Sequence, residues 1–176
     1  MRIFKLKNVK SLILTFINVL KIFIISFYRY NQSSSSKFIF FYFPLKAYQE
    51  NLIELVKLLN IKNNVYVYII YNSLASDELK LKKNSLFIDF GYLRFIPFSN
   101  FFLSKINFLI SSYVLYVFLP NTKNIYISHD IYDAPMVNEK IEKKLFKQLS
   151  KLDHIFVSSL IVKKYFQQKL KKICKI

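Results

Sequence analysis

The sequence predicts an α/β fold built on a doubly wound parallel sheet, with an amphipathic helix preceding it. Three observations lead to this prediction. Apolar runs of strand length alternate with amphipathic segments from residue 37 onward, which is the pattern of βαβ units. Several of these runs are apolar throughout, as expected for strands that are buried on both faces. The first 36 residues differ in composition, because they are basic and apolar and end in four consecutive serines.

The composition excludes several classes of protein. With 176 residues the chain has the size of one domain, and its 53% of hydrophobic residues excludes a disordered segment. The single glycine excludes a Gly-rich phosphate loop and a dinucleotide fingerprint, because both require glycines at fixed positions. Cys174 is the one cysteine of the sequence, which excludes an internal disulfide and a cysteine-based metal cluster. We predict no cofactor and no metal site.

The formal net charge of +17 favours an anionic partner. Only three of the 27 basic residues are arginines, whereas recognition of bases and phosphates favours the bidentate guanidinium group. A drift toward A/T-rich codons explains the lysine excess and the glycine deficit together. We therefore predict no nucleic-acid partner, and a basic nucleic-acid-binding protein stays as the weaker alternative. A membrane surface is favoured, because it requires only positive charge close to the bilayer.

The N-terminal segment is predicted to be a membrane-associating helix. Residues 12–28 form an apolar run whose one charge is Lys21, at the lower length limit for a membrane span. On a helical wheel the polar side chains fall within about 160°. They are Lys7, Lys10, Ser11, Thr15, Asn18, Lys21, Ser26 and Arg29. This polar arc predicts that residues 1–30 lie in the interface with lysines toward the headgroups, peripherally on the cytoplasmic face of the cell membrane. A single span and a soluble helix packed on the body are the alternatives.

The serines at positions 33–36 predict a linker, so residues 1–36 and 37–176 are separated as helix and domain. Residues 37–43 (KFIFFYF) are an apolar run ended by Pro44, which predicts a buried strand. The following segment has apolar residues at helical spacing. They are Tyr48, Leu52, Leu55, Val56 and Leu59. Residues 65–71 (VYVYIIY) are β-branched and aromatic, which predicts a second strand.

The remaining elements continue the alternation. The apolar stretch 101–119 is ambiguous, and we predict a helix from Asn100 to Leu109 followed by strand-like residues. A second membrane span is disfavoured there, because Lys105 and Asn107 would lie inside it at a cost in free energy. Further strands are predicted at 85–89, 124–128 and 154–158. Further helices are predicted at 77–83, 138–152 and 159–170.

A cluster of titratable residues follows the strand at 124–128. Ligands of an open parallel sheet bind where its strands end, and His129 comes directly after this strand. A histidine near neutral pKa can take a proton from an attacking hydroxyl, and a neighbouring carboxylate can orient it. His129 is therefore the candidate catalytic base, with Asp130, Tyr132 and Asp133 as candidate substrate-binding residues. A purely structural turn is the alternative for these loop residues. His154 begins a strand and is predicted to be structural.

Two motifs flank a charged helix, with NIYISHDIYDAP at 124–135 before it and LSKLDHIFVSS at 149–159 after it. They resemble the CDP-glycerol glycerophosphotransferase family, whose members build teichoic-acid-like and capsular polymers. The positions that match the family pattern are His129, Asp153, Ser158 and Ser159. Many members have Trp-His-Gly where this chain has Ser128-His129-Asp130. The strand and helix pattern extends the resemblance over roughly residues 37–170.

The resemblance implies a GT-B architecture, in which two Rossmann-like domains face a cleft. The N-terminal domain of the family holds the acceptor and a histidine general base, and the C-terminal domain holds the CDP-linked donor. By this resemblance His129 deprotonates an acceptor hydroxyl for attack on the β-phosphate of the donor. The acceptor would be a polymer or a lipid-linked saccharide.

By the same resemblance the chain corresponds to the acceptor-side part of a transferase, apparently truncated before the donor domain and inactive alone. A complementary donor domain is then an expected partner. The alternative is a non-enzymatic, membrane-tethered α/β binding module.

Overall fold

The computed structural model describes residues 6–43, 52–71, 85–112, 119, 121–128 and 139–174. Six strands form one sheet in the order β3-β2-β1-β4-β5-β6, and every neighbouring pair is parallel. The strands are β1 Lys37–Phe43, β2 Val65–Tyr71, β3 Ser85–Phe87, β4 Phe108–Ser111, β5 Lys123–Ile127 and β6 His154–Phe156. The predicted α/β class with a parallel sheet is confirmed.

Helices lie on both faces of the sheet. They are α1 Leu6–Gln32, α2 Ile53–Asn60, α3 Phe90–Leu93, α4 Ser99–Phe102, α5 Glu139–Leu149 and α6 Leu160–Cys174. One face carries a core that joins α1, α3 and the segment around α4 to the sheet, and the other carries a core with α2. A third core lies between β5, α5 and α6. The predicted helices at 138–152 and 159–170 are confirmed, and the predicted helix at 77–83 lies outside the described residues.

The central strand β1 explains why the run KFIFFYF is apolar throughout. Its side chains alternate between the two cores, with Phe38 and Phe40 on one face and Ile39 and Phe41 on the other. All four residues are buried, because β1 lies between β2 and β4 and both sheet faces are covered. The ring of Phe40 also meets that of Tyr68 edge to face at 5.8 Å across the β1–β2 pair. Burial on both faces thus requires an apolar side chain at each of these positions.

The region from Asn100 to Leu109 is not the helix that we predicted. The four-residue helix α4 ends at Phe102, and Phe108 already begins β4. The side-chain carbonyl of Asn107 accepts a hydrogen bond from Phe38 N at 2.8 Å, and Asn107 N donates to Phe38 O at 2.9 Å. These bonds connect the start of β4 to β1, so pairing with the central strand overrides the local helical pattern.

Helix α1 packs on the sheet through the polar arc that was predicted to face the headgroups. Thr15, Asn18 and Ser26 of this arc are buried beside Val19 and Ile22. Asn18 Nδ2 donates to the carbonyl oxygen of Phe87 at 2.8 Å, and Thr15 Oγ1 accepts from Asp89 N at 3.1 Å. The expected orientation of these three polar residues is therefore wrong. Backbone groups at the end of β3 provide the hydrogen-bond partners of Asn18 and Thr15 inside the protein.

Candidate functional site at the carboxyl edge of the sheet

The strand order places a topological switch point between β1 and β4. From β1 the chain proceeds outward to β2 and β3, and it then returns to form β4 on the other side of β1. Ligands of doubly wound sheets bind in the crevice that this reversal opens at the carboxyl ends of the strands. Ser111 and Ser112 lie at the end of β4, both buried, and Ser111 Oγ donates to the carbonyl oxygen of Tyr42 at 3.1 Å. Small polar residues therefore lie at the crevice.

The next strand after β4 in the sheet is β5, which leads directly to the predicted catalytic cluster. Ser128 N donates to the carbonyl oxygen of Phe156 at 2.8 Å, which extends the pairing of β5 with β6 to the carboxyl edge. His129, Asp130, Tyr132 and Asp133 lie outside the described residues. Their predicted roles stay predictions. Ser128, the residue before them, directly follows β5, and β5 is the strand next to the β1–β4 switch point.

The remaining positions of the family-like motifs have structural contacts. Asp153 Oδ2 accepts from Asn124 N at 2.7 Å, and Asp153 N donates to Asn124 O at 3.0 Å, so this residue joins the amino ends of β5 and β6. Ser159 Oγ accepts from Val162 N at 3.2 Å, in the manner of a cap for α6. The aspartate and the serine thus position the final strand and helix.

His154 begins β6 and so lies at the amino edge of the sheet, as predicted, and its side chain is exposed. The strand is short, and His154 is level with Ile125 of β5. Ser128 lies three residues after Ile125, so it is roughly 10 Å further along the strand direction than His154.

A cavity of about 630 Å³ lies beside the carboxyl edge. It is lined in part by Phe90, Arg94, Ser99, Asn100 and Leu119. The ring of Phe90 stacks on that of Tyr42 at 4.6 Å, which connects the cavity to the end of β1. Its volume is within the range of small-molecule sites, and its lining combines apolar side chains with a few polar groups. The sequence analysis did not identify Arg94, because no local motif marks it.

Asp89 lies two residues after the end of β3. Burial raises the pKa of its carboxyl group, and the hydrogen bond from Gly91 N, at 2.8 Å, opposes that shift. This bond caps α3, which gives Asp89 a structural role. On the same side of the sheet, burial raises the pKa of Tyr68 to about 12.

Within the described ranges, no group of three His, Cys, Asp or Glu residues could hold a metal ion. Comparison of the chain with protein-family models, with curated proteins and with solved structures finds no match. The fold and the position of its carboxyl edge are therefore the structural basis for a functional proposal.

Proposed function

We propose that the chain is the acceptor-side part of a membrane-associated transferase of the CDP-glycerol glycerophosphotransferase type. The observation that carries the proposal is the strand order, in which β5 is adjacent to the β1–β4 switch point and its carboxyl end leads into Ser128-His129-Asp130. His129 accepts the proton of an acceptor hydroxyl, and that oxygen attacks the β-phosphate of a CDP-linked donor. The bond from the β-phosphate to the CMP oxygen then breaks, and CMP is released.

The acceptor is a cell-surface polymer or a lipid-linked saccharide, and the cavity near Arg94 is a suitable place for part of it. The guanidinium group of Arg94 offers hydrogen-bond donors for a phosphate or hydroxyl of such an acceptor. Catalysis also requires a donor phosphate held in line with the attacking oxygen. In the family that the chain resembles a second domain holds this donor, so we propose that the donor site lies on a complementary domain.

We propose a peripheral location on the cytoplasmic face of the membrane, and the N-terminal helix supports the membrane association. Helix α1 is long and apolar enough, by length and composition, to associate with or cross a bilayer. Its contacts with the sheet through Asn18 and Thr15 favour a helix that lies along the membrane surface. A span would separate these hydrogen-bonded pairs and expose the core beneath them.

The experiment joins the chain to a complementary donor domain and measures transfer from CDP-glycerol. His129→Ala should lower turnover by ~10²–10⁴, the usual contribution of a general base. Asp130→Asn should cost less if the carboxylate only orients the imidazole. His154→Ala is the matched control, because this histidine lies at the start of β6, and it should leave turnover unchanged. Turnover by the isolated chain, or a joined enzyme that is indifferent to loss of His129, would contradict the proposal.

A second function is a membrane-tethered binding module without catalysis. The cavity beside the carboxyl edge and the exposed apolar side chains of α1 favour it, because neither requires a general base. Acceptor binding by a joined protein that shows no transfer with any CDP-linked donor would select this second function.

A further inference from the structure

Helix α1 has an outward face that is unusually apolar for a surface helix. Opposite its buried polar residues lie exposed side chains of Ile13, Phe16, Ile17, Ile24 and Phe27. Ile24 is 64% exposed and Phe27 is 50% exposed. Contiguous apolar surface of this kind marks a contact with a membrane or a partner.

A second apolar feature lies next to α1, in the chain segment that connects α3 to β4. We call the exposed rings of Phe95, Phe98 and Phe101 in this segment the aromatic ridge. These three rings are 51%, 77% and 61% exposed. Phe98 also has a backbone φ of 59°, in the left-handed region that a bulky side chain seldom adopts. The chain thus holds its most exposed ridge ring in a backbone conformation that costs free energy.

Ring contacts connect Phe101 of the aromatic ridge to the outward face of α1. The ring of Phe101 lies 5.3 Å from that of Phe23, and the ring of Phe23 lies 5.8 Å from that of Phe27. Phe102 meets Phe23 edge to face at 5.3 Å and anchors the base of the ridge. The half-exposed ring of Phe27 and the exposed ring of Phe101 are therefore joined through the single ring of Phe23.

Positive charge borders this surface on both sides. Lys21 is exposed on one flank of α1, and on the other flank Lys105 Nζ lies 3.8 Å from the centre of the Tyr30 ring. The first acidic residue of the chain is Glu50, and residues 90–112 contain none. Lysines and a tyrosine at the rim of an apolar patch match the headgroup layer of an anionic bilayer.

We propose that the aromatic ridge inserts into an anionic lipid bilayer beside α1, as a second membrane-docking element. The inference rests on the membrane association in the proposed function and adds the ridge to it. Asn18 contacts the end of β3, whereas Arg29 lies over Tyr66 near the start of β2, so α1 runs antiparallel to the strands. Docking through both elements therefore holds the strands parallel to the membrane. The carboxyl edge then opens along the bilayer surface, where a lipid-linked acceptor resides.

The test uses the absence of tryptophan from the sequence. Phe98→Trp places a single reporter on the ridge of the full chain. Phe156→Trp is the matched control, since Phe156 is 57% exposed on β6, three strands beyond β1. Each protein is mixed with phosphatidylglycerol vesicles, with phosphatidylcholine vesicles, and with phosphatidylglycerol vesicles whose acyl chains carry bromine. With phosphatidylglycerol, the position 98 emission should shift to the blue and be quenched by bromine, and the position 156 emission should do neither.

A second measurement keeps the result independent of the reporter. Phe98→Ser with Phe101→Ser should weaken phosphatidylglycerol binding by about tenfold for each ring removed from the bilayer. Leu160→Ser with Ile161→Ser, an exposed apolar pair on α6, should leave that binding unchanged. Matching far-ultraviolet circular dichroism spectra and urea midpoints show that the variants fold alike.

The outcomes separate the ridge from the wider proposal. Vesicle-bound protein with an unquenched position 98 overturns the ridge proposal and leaves membrane association by α1 intact. Failure of the unsubstituted chain to bind phosphatidylglycerol overturns both. A concentration-dependent blue shift at position 98 without vesicles means that a second copy of the chain covers the ridge, which also overturns the proposal.

Discussion

Asp89 shows how one side chain connects three elements of this protein. Its carboxylate accepts the Gly91 N–H at 2.8 Å and caps α3, and its own N–H donates to Thr15 Oγ1 on α1. The residue follows the end of β3, so sheet, cap and N-terminal helix meet at this point. A short polar residue before the sequence FGYL is a recognisable cap signal. Its contact with α1, 74 residues away in sequence, is visible only in the tertiary structure.

We expect Asp89→Ala to lower the free energy of unfolding by about 1 kcal/mol, because the Gly91 N–H loses its acceptor. Asp89→Asn should retain most of this stability, since asparagine is an equally good cap. Urea unfolding at pH 7 measures both variants. Equal losses for alanine and asparagine would contradict a capping role.

The same residue makes a prediction about pH. Burial raises the pKa of Asp89, so the folded protein holds this proton more tightly than the unfolded chain does. The stabilisation from this group is therefore fully present below its ordinary pKa and is lost as the pH rises through the raised value. The amide introduced by Asp89→Asn cannot titrate, so the stability of the unsubstituted chain minus that of the variant should fall from about pH 3 to pH 7. A difference that rises over this range would mean that the pKa shift has the opposite sign.

At the scale of an element, the polar residues of α1 lie in two environments, some buried against the sheet and some exposed to solvent. Its sequence places the polar residues on one arc, and the structure divides that arc between protein and solvent. Thr15, Asn18 and Ser26 are small enough for close approach to the sheet, and hydrogen bonds satisfy their polar groups. Lys21 is too long and too strongly hydrated for that position and remains exposed. The helix consequently turns larger apolar side chains outward.

Asn18→Ala should loosen α1 from the sheet. The substitution removes a buried hydrogen bond to the carbonyl oxygen of Phe87, which is expected to cost about 1–3 kcal/mol of stability. Hydrogen exchange of the α1 amides should accelerate together with the loss of global stability. Asn31→Ala, at an exposed position of the same helix, is the control and should change neither quantity. An equal effect of the two alanines would show that Asn18 makes no specific contact with the body.

At the scale of the whole molecule, α1 is an integral part of the fold and not a separate anchor. Residues of α1 share a core with Phe38 and Phe40 of the central strand. Deletion of residues 1–30 would uncover this core, so the deleted chain is expected to aggregate rather than remain as a soluble domain. Substitutions on the outward face of α1 are therefore the cleaner way to test membrane attachment.

We expect alkaline carbonate to extract the full chain from cell membranes into the soluble fraction. A helix that lies on the surface is held by its outward face and by charge, whereas a spanning helix is retained by its complete apolar length. Immunoblots of the pellet and the supernatant provide the measurement, with an integral membrane protein of the same cells as control. Retention in the pellet would support a single span, with α1 separated from the sheet.

The sequence by itself determined the fold class and most strand positions of this protein. The runs KFIFFYF and VYVYIIY coincide with β1 and β2, because short uninterrupted runs of aromatic and β-branched residues favour a strand covered on both faces. The sequence also predicted that the Ser128 end of β5 lies at the carboxyl edge, since alternating strands and helices imply a parallel sheet.

Only the tertiary structure decided the strand order, the switch point beside β4 and the inward face of α1. Each of these depends on contacts between residues that are distant in sequence. The stretch from Asn100 to Leu109 is the clearest case, because its local pattern suits either a helix or a strand. The pairing of Asn107 with Phe38 selects the strand. Thr15 and Asn18 likewise face inward because the free backbone groups that they satisfy are at the end of β3, and a helical wheel holds no information about that strand.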